Sequence, residues 1–596
     1  MSAAVAEPRD RSIFVLVVSG ALGYAAGRYW YPDWQVAVET AQVLAGLVTY
    51  PLDNPFYIYH LKLWTIVHHA LAVALWAGIS ERTLSEVLSG VMGMASFQAL
   101  AMVAYAMSRR VVLALSSIAV IIAARAAEFG VIYPIAMTGT VHTYGALGLS
   151  IVVLTAGLFG CGRAGLALFL AGLAPAIHPA LGAWLALILL LTAVWDLKEV
   201  RAHWRASWKY FAAGAGLTAL SLAYHLAFTA PDTPLSPADA QRYQATFTAL
   251  WDVHRQPVEL GAAGVRLNAA AAALAMVWLA AFRSDLPRHA AFLLRFVLAS
   301  AAVGLVGMLV TWMPAERVPA LLLTLMPGRL LNVNAMACAA LLLGLAGLYW
   351  CRAWGAATAL GLTLALLVTR PSYVWFWADR RQWDVPRVVL DPLLIIMLAA
   401  AVLIVGRVVI GNRGARSGER GADSGERAAA VLARTGCAAV ALWVTWMSAL
   451  PLPRRHATGM IDRTNDVALA GAAQGSGLLA TGGEMFLVQL RTRRPVLINS
   501  GALDTVAYAI DSAPAMERIL RDVYALDYFH PPAEALHGAV VPTAYNRVAW
   551  SGYDTARWQE IRRAFNVTQV LTPAGWELRL PIVAQSRRYL LYDIPE

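Results

Sequence analysis

The sequence predicts an α-helical polytopic membrane protein, with about thirteen transmembrane helices and a small C-terminal α/β domain. Three observations carry that prediction. The 596 residues are 59% hydrophobic and only 14% charged, where a soluble domain carries about 25% charged residues. Many runs reach the roughly 20 apolar residues that cross a bilayer core. After Leu450 the pattern changes to short alternating runs and polar helical stretches.

The net charge of +11 comes almost wholly from arginine; Lys62, Lys198 and Lys209 are the only lysines. The basic residues fall mostly between apolar runs, so they read as topology signals and not as a nucleic-acid surface. Cys161, Cys338, Cys351 and Cys437 form no CxxC pair, so neither a disulfide framework nor a zinc site is legible.

Taken in order, Arg9 and Arg11 precede the first apolar run and place the N-terminus in the cytoplasm. Helix one covers about 12–28 and stays uncleaved, because no small-x-small site precedes "RYWYPDW". Next comes "YPDWQVAVETAQ", with Asp33, Glu39 and Gln42, then "YPLDNPFYIYHLKLW", dense in Pro and aromatics. Residues 29–85 form one long outer loop. Its segment Leu63–Ser80 reads as a helix lying at the interface, since spanning would put Arg109 and Arg110 outside. Helix two covers about 86–107. The other spans are expected near 111–124, 141–159, 164–177, 180–196, 208–229, 267–282, 290–312, 331–350, 354–369, 391–409 and 428–449. This count keeps Arg163, the cluster Lys198, Arg201, Arg205 and Lys209, and Arg407–Arg420 inside. Gly411–Arg427 reads as a disordered Gly/Arg/Ser-rich cytoplasmic loop. The chain thus divides into a membrane domain, 1–450, and an α/β domain outside, 451–596. In the latter, "TARWQEIRRAFNV" reads as a helix, the following "WELRLPIVAQSRRYLLYDI" as strands, and Arg491, Arg493 and Arg494 as a solvated or headgroup-facing patch.

Ionisable groups near the membrane are costly and need a reason. On this topology several converge on the outer side: Asp33, Glu39 and Asp53 in the first loop, Arg125 and Glu128 after helix three, His142, His178 in "APAIHPALG", and Arg329 in "LMPGRLLN". Each has a plain alternative. Asp53 suits a solvated loop carboxylate, His178 beside Pro179 a helix-end cap, and Arg329 a headgroup contact.

The order of these pieces resembles the GT-C superfamily of membrane glycosyltransferases, in particular its protein mannosyltransferase and lipid A aminoarabinose transferase branch. The matching order is Asp33, then Ala41-Gln42-Val43-Leu44, then "GLVTYPLDNPFYIYHLKLW", then a helix ending in "SRR". The resemblance covers about 12–200, and "MPGRLLN" extends it loosely. The sequence departs from the family at Trp34, where a second acid follows the first, and at Asn54-Pro55-Phe56. It departs again at His142, where a further carboxylate is expected and Glu128 is the nearest, and at His178-Pro179.

The resemblance implies transfer of a sugar, with inversion, from a polyprenyl-phosphate carrier to an acceptor at the outer face of a bacterial inner membrane. Asp33 would be the catalytic base. Arg329, Arg125 and His178 would hold the lipid phosphate, with His142 and Glu128 also at the substrate. No metal ligand set is assigned; a divalent ion is left open by the family and argued against by the missing second acid. The competing readings are a transporter or flippase for a lipid-linked or anionic substrate, and a non-catalytic scaffold of envelope polysaccharide synthesis. Few acidic residues fall inside the expected spans, which disfavours transport.

Overall fold

The computed structural model describes residues 10–117, 138–364 and 460–596, less 196, 229–234, 253–254, 315–316, 320–321, 323, 351–352, 354, 500 and 537, together with 399, 400 and 403. Most of the span expected at 391–409, all of that at 428–449, the second half of that at 111–124, the ends of that at 354–369, and the loop 411–427 lie outside the described residues, as does the expected boundary at 450.

Among the described residues, six helices are long and apolar enough to cross a membrane: Ser12–Trp30, Glu81–Ser108, Thr143–Gly160, Gly264–Ala281, Ala290–Thr311 and Pro327–Tyr349. A bent pair, Pro55–Lys62 and Ile66–Trp76, makes a seventh if counted as one broken span. We label α1 Ser12–Ala25, α2 Val36–Leu44, α3 Pro55–Lys62, α4 Ile66–Trp76, α5 Glu81–Ser108, α6 Thr143–Gly160, α7 Ala164–Ile177, α8 Pro179–Val194 and α9 Leu197–Phe228. Then follow α10 Ala263–Ala281, α11 Ala290–Thr311 and α12 Leu331–Tyr349.

The bundle is organised around α5, which packs against α1, α6 and α12. Small residues set its closest approach. A Cβ on Gly23 would meet the Gly93 carbonyl at 2.3 Å, and one on Gly27 the Ser89 carbonyl at 2.1 Å. In lipid, packing of this kind holds helices together where no hydrophobic force acts between them. α1 ends in a π-turn, Ala26–Trp30, before the chain leaves for the first loop.

Three helices follow within that loop. Asn54 caps α3 by accepting from the Phe56 and Tyr57 amides, with Pro55 in the first turn. Thr65 and His68 make a capping box for α4. The two helices meet at 107°. At about 1.5 Å per residue, the 11 residues of α4 are too short to cross a core of about 30 Å alone.

One boundary differs from expectation. The helix sought at 208–229 begins at Leu197, and Lys198, Arg201, Arg205 and Lys209 lie within it. Lys, Arg, Glu and Ala are good helix formers, so hydrophobicity marks where apolar surface begins and not where the helix does.

From Met460 onward the chain is built on a four-stranded sheet of order β1-β2-β4-β3: Leu478–Thr481, Val567–Pro573, Tyr589–Asp593 and Ile582–Gln585. β1 pairs parallel with β2; β4 is antiparallel to both β2 and β3. An amphipathic helix, Ala513–Tyr524, buries Met516, Ile519, Leu520 and Val523. The unit is not self-contained. Val43, Val48, Tyr50 and Phe56 of the first loop, with Phe247 and Trp251, share one hydrophobic cluster with Leu497, Ile498, Leu503 and Val506.

The arginine patch is a correction. Arg494 is 2% exposed and gives its guanidinium to the carbonyls of Ala472, Ser476 and Gly477 and to the side chains of Thr568 and Gln569. Arg493 pairs with Glu81, and Arg491 bonds the Ile461 carbonyl and the Tyr589 hydroxyl. Arginines with five directed donors cross-link loop carbonyls, a use that a run of charges in sequence does not separate from solvation.

Candidate functional site at the junction of the first loop and the C-terminal unit

α2 is buried from Ala37 to Val43, so its polar side chains must find partners inside the protein. Gln42 donates to Glu81 Oε1 (3.2 Å) and to the Leu490 carbonyl (3.1 Å). Gln489 donates to the Glu39 carbonyl (2.9 Å) and to Gln42 Oε1 (3.3 Å). Tyr50 donates to Gln489 Oε1 at 2.7 Å and accepts from the Val496 amide at 3.2 Å. Thr40 Oγ1 lies 3.0 Å from His60 Nδ1. These bonds join α2 and α3 to the short helix Val488–Thr492.

Glu39 is the exception among them. Its carboxyl accepts from the Leu490 amide, while Oε1 has no partner among the described residues. Burial pushes its pKa up from 4.5 to about 8, against the lowering effect of that hydrogen bond.

A second group lies beside this one. Met326 adopts a left-handed backbone (φ 47°) and starts the 3-10 turn Pro327–Leu330 that presents half-buried Arg329 at the head of α12. Arg329 acts electrostatically on His178 and on Tyr508. The Tyr508 hydroxyl is 3.7 Å from Met326 Sδ. Arg255 makes a buried ion pair with Asp252 at 2.6 Å and stands 5.9 Å from the Tyr508 ring centre. Burial raises the pKa of the Tyr508 phenol; Arg329 and Arg255 oppose the rise, and Asp504 and Asp252 add to it. The Tyr59 ring is 6.2 Å from that of Tyr508, and Glu39 and Tyr144 also act on Tyr59. Arg329 is thus within electrostatic reach of Tyr508, Tyr508 is beside Tyr59, and Tyr59 is within electrostatic reach of Glu39.

The predicted residues divide between places. His178 and Arg329 come together, and His178 also caps α8, its Nδ1 accepting from the Leu181 amide at 3.3 Å. Asp33 is half-buried; its Oδ1 accepts from the Trp34 amide (2.9 Å), and its backbone bonds Ser89 and Gln35. Gln35 in turn bonds the Thr140 carbonyl and the Thr143 hydroxyl. His142, exposed, donates its amide to Thr140 Oγ1. Asp33 and His142 therefore belong to one knot at the start of α6. Asp53 is exposed. Arg125 and Glu128 lie outside the described residues. Sequence reasoning passed over Tyr508, Asp504, Asp252 and Arg255. The pair "DVHR" (Asp252–Arg255) after an apolar run was a usable signal; Tyr508 had none, because its partners come from segments hundreds of residues away.

Among the described residues, no three His, Cys, Asp or Glu side chains are grouped so that they could hold a metal ion. No family model and no curated protein matches the chain. Among solved structures, it is similar to the crystal structure of ArnT from Cupriavidus metallidurans bound to undecaprenyl phosphate, with a TM-score of 0.35 and 11% identity over 98% of this chain and 97% of that one. A score and an identity this low fix neither fold nor function.

Proposed function

We propose that this chain is a GT-C-like glycosyltransferase that moves a sugar, with inversion, from a polyprenyl-phosphate-linked donor to an acceptor at the outer face of a bacterial inner membrane. The observation that carries the reading is the junction. Arg329 acts on His178 and on Tyr508 there, Tyr59 lies 6.2 Å from Tyr508, and Glu39 of the first loop acts on Tyr59, while Asp33 lies apart with Ser89 and Gln35. Such a transfer needs cations where the phosphate leaves and a carboxylate where the acceptor loses its proton. Arg329 supplies a planar donor suited to phosphate.

Between Asp33 and Glu39, Asp33 is the base. Glu39, with its pKa raised to about 8 by burial, is mostly protonated at neutral pH, so only a minor fraction of molecules hold it as a base. Asp33 is only half-buried. Glu39 serves this reading as a neutral hydrogen-bonding acid.

The test is transfer of labelled sugar from membrane lipid in a deletion strain carrying each variant. Asp33→Asn nearly keeps shape but cannot take a proton, and activity falls on the order of 10²–10⁴-fold while the protein still inserts. Arg329→Ala weakens carrier binding, and Asp53→Asn changes little. Full activity in Asp33→Asn removes the base and most of the case for an enzyme.

A further inference from the structure

The opposite end of the bundle carries a feature that the proposed reaction does not use. α5 begins at Glu81, which pairs with Arg493 and Arg463 of the C-terminal unit. It ends at Ser108, the last of its 28 residues, roughly 40 Å away at 1.5 Å per residue. There, the start of α1, the end of α5 and the end of α12 enclose a cavity of about 620 Å³. Arg11, Arg109 and Arg110 line it, with Tyr105, Trp350 and the apolar segment 111–113.

Among the described residues, no carboxylate lines this cavity. Arg109 donates to the neutral Gly160 carbonyl at 3.2 Å and lies 5.7 Å from the Tyr105 ring centre. The Arg11 amide donates to the Tyr105 hydroxyl at 2.9 Å. Asp10 acts on Arg109 at longer range but is bonded to Arg163 at 2.7 Å. Three guanidiniums thus share one concavity with no acidic side chain among the described residues of its wall. The neighbouring surface is apolar: Val112 is 80% exposed. Cations beside apolar surface at a helix end match the two halves of a lipid, an anionic headgroup and the beginning of its chains. Arginine charges that served topology alone would not need to converge on a single cavity.

We propose that this cavity binds the phosphate of an anionic phospholipid through Arg11, Arg109 and Arg110. It is distinct from the junction site and does not rest on the proposed transfer. A free phosphate shares the headgroup's chemistry but not its apolar half, so the wall of residues 111–113 and Trp350 favours the lipid.

The full-length protein, purified in detergent and delipidated, is titrated with short-chain phosphatidylglycerol, with short-chain phosphatidylcholine and with inorganic phosphate, and bound adducts are read by native mass spectrometry. Phosphatidylglycerol binds saturably and at least tenfold more tightly than the other two. The test variant is Arg11→Gln with Arg110→Gln, which leaves the Arg109–Gly160 bond in place. At roughly fivefold for each basic residue, it loses about 25-fold in phosphatidylglycerol affinity. Arg11→Lys with Arg110→Lys keeps most of the affinity, which separates charge from misfolding. Equal binding of phosphatidylcholine overturns the proposal, as does unchanged affinity in the Gln variant. Inorganic phosphate binding as tightly as phosphatidylglycerol overturns the lipid as occupant.

Discussion

Replacing Glu39 with Gln isolates the free energy stored in one buried carboxyl. The side chain is 2% exposed, and the fold raises its pKa from 4.5 to about 8. The folded state favours the neutral acid, so folding is penalised wherever the unfolded chain holds Glu39 ionised. The penalty is absent below pH 4.5, grows as pH rises from 4.5 to about 8, and is constant above that. At roughly 1.4 kcal/mol per unit, the protein gives up on the order of 3 kcal/mol at pH 7. Glu39→Gln keeps the acceptor for the Leu490 amide and cannot ionise. Its amide nitrogen replaces an oxygen that has no partner among the described residues, so a fixed cost of about 1–3 kcal/mol offsets part of the gain. The absolute difference is therefore less informative than its slope. Apparent unfolding temperatures of both proteins in one detergent from pH 5 to pH 9 should diverge, the variant gaining on the wild type until about pH 8 and then running parallel. A difference that stays constant from pH 5 to pH 8 would falsify the raised pKa, and Glu39 would then compete with Asp33 for the role of base.

Other substitutions test the frame around the site. Arg494→Leu removes the guanidinium from the carbonyls of Ala472, Ser476 and Gly477, of which Ala472 keeps the Gly475 amide and Ser476 the Thr568 hydroxyl, at about 2–4 kcal/mol in total; a shift of only a degree or two in apparent unfolding temperature contradicts the cross-linking role. Glu81→Ala costs more than Arg493→Ala, because Glu81 holds Arg493, Arg463 and Gln42 at once, and its readout is faster protease release of fragments from the C-terminal unit. Alkaline phosphatase fused after Leu450 should be active and a cytoplasmic fluorescent reporter there dark; the reverse pattern means that an odd number of spans has been miscounted.

The apolar spans were the legible part of the fold. "SIFVLVVSGALGYA" and "LLLGLAGLY" have no reading in water, and hydrophobicity located them to within a few residues. Helix starts without an apolar marker were not legible: α9 begins in a run of Lys, Arg and Glu whose only signal is propensity. Among the candidate residues, Arg329 after Met-Pro-Gly and His178 before Pro had a local reason to stand out, and the fold brings these two within electrostatic reach of each other. Gln489 and Tyr508 were invisible. Each is an ordinary residue until the fold places it against a helix more than 400 residues earlier. Arg494 misled for the opposite reason, since its neighbours Arg491 and Arg493 made it look like one of a solvated set.

The glycine contact between α1 and α5 also bears on how the molecule is made. The ribosome delivers α1 more than fifty residues before the start of α5. The partners of Gly20, Gly23 and the following Gly27 in the folded protein, Ser89 to Gln98, are not yet made at that point. The first span must therefore wait, inserted but undocked, until Ser89–Phe97 has entered the bilayer. When the two close, they fasten the ends of the segment between them, and α2, α3 and α4 become a tethered loop instead of a tail. The C-terminal unit, translated last, then meets a surface already held in place. A bulky residue at Gly23 would act at that step of biogenesis, and its mark would be chains that reach the membrane and are cleared before their final domain has docked.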